Sequence, residues 1–209
     1  MEENNEQVVF DGWDQDKLVY FGPLTRTLIF NSDINSVSSA GLISQLLLLN
    51  EFDQEATIRL YINTPGGSVR DAFAIYDVMR TIEAPILGIV NGMCYSGGLV
   101  ILAGASLRAA TPNSMLFYHQ VIVDDVCFSS VTESNDIAKI YNINQDQVDG
   151  VMKTRFGIKK KVWKNVFEGK TSAHLTAEEA LEYGLIDSII EFSTINKTKL
   201  LEKAIQNDE

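Results

Sequence analysis

Ser96 stands alone among glycines in "GMCYSGG" (92–98), after the apolar run "ILGIV" and before "LVILAGA". A hydroxyl where a strand gives way to a helix, with the Gly97 amide beside it, is the arrangement of a nucleophile on a sharp turn. Such a serine needs a base within hydrogen-bond reach. The chain holds two histidines, and His119 closes the apolar run "MLFYHQ" (115–120), 23 residues beyond Ser96. Acyl transfer also needs two N–H donors around one developing oxyanion. A second glycine turn, "NTPGGSV" (63–69), offers Gly67 as the partner of Gly97. Each feature has a plainer reading on its own, because glycine-serine clusters occur in ordinary turns and a lone histidine at a strand end is more often structural. Their conjunction points to serine-type acyl transfer. Neither turn is followed by Gly-Lys-Ser/Thr, so a phosphate-binding loop fits less well. Cys94 lies two residues before Ser96 and reads as small buried packing rather than as the nucleophile.

These residues need strand ends to hold them. "RTLIF" (26–30) and "TIRLYI" (57–62) read as strands, "ILGIV" (86–90) as a short buried strand, and "MLFYHQ" as a further strand ending in His119. Between them, residues 36–52 carry apolar side chains at 42, 43, 46, 47 and 49, a helical spacing with Ser36 or Ser38 as N-cap. "RDAFAIYDVMRTI" and "SGGLVILAGA" read as two more helices. Alternation of strand and helix implies a parallel sheet covered by helices, with sites at the strand ends. Residues 132–154 repeat apolar positions at helical spacing. "LTAEEALEYG" is a short helix with a Thr176–Glu179 capping box and Gly184 at its end, and "LIDSIIEF" closes as a strand.

Composition excludes several classes. Over 209 residues, 45% apolar and 22% charged residues suit one soluble α/β domain with a full core. No apolar run approaches the roughly 18–20 residues of a membrane span, and the acidic start "MEENNEQVVFDGWDQDK" lacks the pattern of a secretion signal. A net charge of −11 argues against nucleic acid or anionic lipid as a main partner. The basic run "IKKKVWK" (158–164) reads as a solvated face. Cys94 and Cys127 lack CxxC spacing, so neither a disulfide framework nor a metal site is expected, and a reducing compartment fits.

"YINTPGGSVRDAFAIYDVMRTI", "GMCYSGG", "PNSMLFYHQ" and "LTAEEALEYGLIDSI" resemble, in order, the blocks of the ClpP family, the proteolytic subunit of the ATP-dependent Clp protease. The likeness runs from about Arg26 to Ile190. It implies a crotonase-like α/β fold of repeated β-β-α units with a protruding helical handle, here about 120–155. It also implies a divergent N-terminal segment over 1–25, a protease domain over 26–192 and a polar tail over 193–209. Such subunits stack as two heptameric rings, a tetradecamer, into which an AAA+ unfoldase threads polypeptide. No cofactor is implied, and the expected compartment is a bacterial or phage-infected host cytosol, or an organelle stroma or matrix. By position, Ser96 matches the nucleophile, His119 the general base, and the Gly67 and Gly97 amides the oxyanion hole.

The match fails at the triad acid. The family sets Asp five residues before its "A-x-E-A" block, where "TSAHLTAEEA" has Ser172. A hydroxyl accepts an imidazole N–H but carries no charge, and replacing the triad Asp by Asn in a serine protease lowers kcat by about 10⁴. Glu168, Asp124 and Asp125 are the candidate substitute carboxylates, and His174 reads as packing or surface. The family's glycine-rich "HQP" continuation is also missing, since the chain has "HQVIVDDVCFSSV". The resemblance therefore leaves two readings: a serine endopeptidase of Clp type, with reduced activity, or an impaired ring subunit that assembles with active ClpP-type or ClpR-type subunits. A crotonase-type acyl-CoA enzyme fits less well, because those enzymes use carboxylates for acid–base work.

Overall fold

The computed structural model describes residues 19–22, 26–122, 130–168 and 172–191. The strands are β1 (Val19–Gly22), β2 (Thr27–Phe30), β3 (Ile58–Thr64), β4 (Ile86–Tyr95), β5 (Leu107–Ala110), β6 (Met115–His119), β7 (Ser172–Thr176) and β8 (Ser188–Ile189). The helices are α1 (Ser36–Phe52), α2 (Val69–Thr81), α3 (Gly97–Gly104), α4 (Val131–Arg155), α5 (Lys160–Val162) and α6 (Ala177–Tyr183), with a π-helical turn at Trp163–Phe167. One sheet runs in the order β1-β2-β3-β4-β5-β8, with β6 branching from β4 and β7 paired on β6. β2 through β5 are parallel, as the alternation of strand and helix predicts. The α/β fold with a parallel sheet is the one the resemblance implies.

The branch in the sheet creates the site. β4 is twice the length expected from "ILGIV", running on through "NGMCY". Its first half pairs with β5 and its last three residues, Met93–Tyr95, pair with β6. Gly92 sits at the fork with φ 117°, where a Cβ would lie 2.6 Å from Asn63 Oδ1. That same oxygen accepts the Met93 N–H at 2.9 Å. Ser114 pins the other side, donating to the Val90 carbonyl at 2.9 Å. The polar residues that interrupt the apolar run therefore hold a fork rather than end a strand.

Hydrophobic packing supports this frame. All eight residues of α3 are buried, in keeping with an "LVILAG" sequence that is apolar all round. Leu28, Phe30, Leu60, Ile62 and Ile75 are fully buried in the same core cluster, each worth about 1.5–3 kcal/mol of transfer free energy. The N-cap of α1 is Asn35, not Ser36 or Ser38. Its Oδ1 accepts from the Val37 and Ser38 amides, and the Ser38 hydroxyl accepts from the Asn35 N–H as the far half of a capping box. The β-bridge between Ile34 and Gly67 fixes the chain just ahead of that start. The capping box of α6 and the left-handed Gly184 (φ 85°) form where the sequence places them.

Three strands carry no clear sequence signal: β1, β5 and β7. Only two residues of "LIDSIIEF" pair as β8, because Leu185 and Ile186 are buried beside the helix end and Asp187 turns to Arg108. Segments 1–18 and 192–209, which hold most of the divergent start and the polar tail, lie outside the described residues, as do Asp124, Asp125 and Cys127. Among the described residues no helix is long and apolar enough to cross a membrane.

Candidate active site

Ser96 occupies the junction between β4 and α3 with φ 53° and ψ −120°, a backbone conformation that a non-glycine residue rarely adopts. Two contacts impose it. The Ser96 N–H donates to the Phe117 carbonyl at 2.7 Å, and the Ser96 carbonyl accepts from Leu99 N–H at 3.0 Å. The first bond ties the turn to β6, whose Phe117 pairs with Tyr95. Ser96 thus lies one residue past one strand tip, and His119 lies two past its paired position on the next.

The second glycine turn closes over the first. A Cβ on Gly66 would lie 2.7 Å from Ser96 Cβ and 2.8 Å from the Tyr95 carbonyl, so only glycine permits the approach. Gly67 has φ 142°, and a Cβ there would meet the Ile34 carbonyl at 2.3 Å. The Ile34 N–H donates to Gly66 and the Ser68 N–H donates back to Ile34. By alternation along an extended segment, the intervening Gly67 N–H faces away from Ile34. Gly97 opens α3, so its N–H has no acceptor within the helix. Gly67, Ser96, Gly97 and His119 line one cleft of about 270 Å³, walled by apolar side chains including Val69, Leu99 and Val148. The structure brings together four of the five residues singled out from the sequence.

His119 ends β6 with its ring tilted against Phe117. Its Nδ1 lies 2.5 Å from the Gln120 carbonyl. A carbonyl only accepts, so this hydrogen bond requires the proton on Nδ1 and leaves Nε2 free of that contact. No hydrogen bond joins Ser96 to His119 among the described residues. Tyr118, on the opposite face of β6, is buried and donates to Asp149 at 2.8 Å. Burial, reinforced by that hydrogen bond to Asp149, pushes its phenol well above the usual range, so it stays a donor.

A sequence profile described as Clp protease matches residues 19–193. The chain is 36% identical over 169 residues to the ATP-dependent Clp protease proteolytic subunit 1 of Bacillus cereus (strain ATCC 10987 / NRS 248), covering 79% of this chain and 85% of that protein. This chain belongs to the Clp protease family.

Ser172 is the residue that the resemblance aligns with the triad acid. β7 runs antiparallel to β6, and Ser172 stands directly opposite His119. Directly opposed residues project from the same face, with Cβ atoms about 4.5–5.5 Å apart. Ser172 is exposed, and among the described residues its hydroxyl makes no hydrogen bond to the imidazole. Of the candidate substitute carboxylates, Asp124 and Asp125 lie outside the described residues, and Glu168 does not fill the gap. Glu168 lines a separate cavity of about 380 Å³ with Trp163 and three lysines. His174 stacks on Phe117 with ring centroids 4.0 Å apart, which makes it packing, as read from the sequence. Cys94 is fully buried beneath the turn, and burial drives its thiol far above the ordinary cysteine range. Nothing in the sequence marks the Gln120 carbonyl as the partner of His119, because every residue carries a carbonyl.

Proposed function

We propose that this chain is a serine-type peptidase subunit of Clp type, with Ser96 as nucleophile, His119 as general base and the Gly67 and Gly97 amides as oxyanion hole. The observation that carries the reading is Ser96 held at φ 53° in one cleft with His119 and both glycine turns. Strain of this kind costs about 1–3 kcal/mol and persists where function requires it. Ser96 Oγ attacks the scissile carbonyl while its proton passes to His119 Nε2. The carbonyl oxygen, now negative, is stabilised by the two glycine amides. As the C–N bond breaks, His119 returns the proton to the leaving amine. Water then repeats the sequence on the acyl-enzyme and frees Ser96.

By family likeness, the substrates are unfolded polypeptides or peptides. The assembly is stacked rings of this chain fed by an AAA+ unfoldase, in a cytosol or organelle stroma, with α4 as the protruding handle. A second reading draws on the uncharged Ser172 opposite His119: the subunit is catalytically impaired and serves a structural or regulatory role in rings with active ClpP-type partners. Hydrolysis of a short fluorogenic peptide by assembled wild type and Ser96→Ala separates the two. Turnover lost in the variant supports the first reading. Equal background rates in both support the second.

A further inference from the structure

Where the resemblance expects a carboxylate to orient the imidazole, the structure has a peptide group held from behind. His119 Nδ1 donates to the Gln120 carbonyl at 2.5 Å. That carbonyl shares its peptide plane with the Val121 N–H, and in a trans peptide the two point in opposite directions. Among the described residues the β6–β7 ladder ends at His119 and Ser172, and no strand pairing holds this plane. Gln145 of α4 does. Its Oε1 accepts the Val121 N–H at 2.7 Å, and its Nε2 donates to Asp149 Oδ1 at 2.7 Å and to the Tyr118 hydroxyl at 3.1 Å. The amide cannot be flipped: Val121 only donates and the carboxylate only accepts.

Resting on the serine-peptidase reading, we infer that Gln145, backed by Asp149, is a positioning residue that replaces the orienting role of the triad acid. The chain of contacts runs from the Asp149 carboxylate through the Gln145 amide and the Gln120–Val121 peptide to His119 Nδ1. Each amide carbonyl is a stronger acceptor because the N–H of its own amide donates to the group behind it. Lys153, 3.8 Å from the other Asp149 oxygen, offsets part of that charge. The same stretch of α4 also receives Arg70, which donates to Asn144 and Gln147 just beyond the Gly67 turn. One stretch of this helix therefore braces the loop after His119 and the helix that follows the Gly67 turn.

The test uses the assembled protein with ¹⁵N-labelled histidine, read by solid-state NMR, with His174→Phe assigning the two rings. The expected result in wild type is that the neutral form of the His119 ring carries its proton on Nδ1. Protonation at Nε2 would overturn the inference without any variant being made. Gln145→Leu, at wild-type ring size, is expected to mix the two tautomers and slow fluorophosphonate labelling of Ser96 at least tenfold. Adding Ser172→Asp to that variant is expected to restore both, which loss of a purely structural bond would not allow. An unchanged tautomer and labelling rate in Gln145→Leu would also overturn it. If wild-type Ser96 does not label although His119 shows the expected tautomer, the peptidase reading fails and the positioning inference stands.

Discussion

Ser172→Asp is the substitution for which the structure makes the sharpest forecast. Residue 172 faces His119 across an antiparallel pair, so a carboxylate there comes within about 4 Å of the ring. A unit charge pair at that distance is worth about 4 kcal/mol at an effective dielectric near 20. Fully expressed in the transition state, that is roughly a thousandfold in rate. Position 172 is exposed, and solvent screening reduces the effect. The wild-type ring is already oriented by the Gln120 carbonyl, so the gain comes from charge on the imidazolium rather than from geometry. We expect acylation of Ser96 by a fluorophosphonate to accelerate between about tenfold and a hundredfold. The assay is the pseudo-first-order labelling rate by intact mass, with peptide turnover alongside. A variant of wild-type ring size that labels no faster would refute the placement of residue 172 as the acid position.

Three further outcomes follow from the same geometry. Ser96→Gly relieves the positive φ and is expected to raise Tm by roughly 2–4 °C while abolishing labelling, and a lower Tm would contradict the strain at this turn. Burial raises the pKa of Asp187, but the hydrogen bonds and charge of Arg108 outweigh it and hold the carboxyl below its usual range. Because the folded-state pKa is depressed, this stability is fully present above the unfolded value near 4 and is lost as pH falls through the folded value. With Asp187 39% exposed, the discounted contribution is about 1 kcal/mol. Thermal midpoints should therefore separate wild type from Asp187→Asn at pH 7 and converge as pH falls through the folded-state value. Cys94 should stay unmodified by iodoacetamide in the native protein at pH 8, as read by peptide mapping, and modification before unfolding would reopen it as a nucleophile.

Much of the site is legible in the sequence because its chemistry is local. Ser96 and the two glycine turns are contiguous motifs, and His119 ends a strand whose apolar pattern is plain. The capping box at Thr176 and the C-terminal Gly184 work through backbone rules that a short window contains. The hidden features are set by pairing at long range. β7 is polar at alternate positions and becomes a strand only because β6 lies beside it. β4 looks shorter than it is, since Asn91 and Gly92 resemble a strand end until Asn63 and Ser114 are seen to hold the fork. Gln145 lies 26 residues beyond His119 on a helix whose exposed polar residues look alike in sequence, and only the fold brings it to the Val121 amide.

The central claim is that Ser96 is an activated nucleophile although, among the described residues, no carboxylate faces His119. Its most direct test is fluorophosphonate labelling of assembled wild type and Ser96→Ala, read by intact mass between pH 6 and 9. A single adduct on wild type, mapped to Ser96 and missing from the variant, is the predicted result. Wild-type rings that stay unlabelled across that range would contradict the claim and leave the impaired-subunit reading in its place.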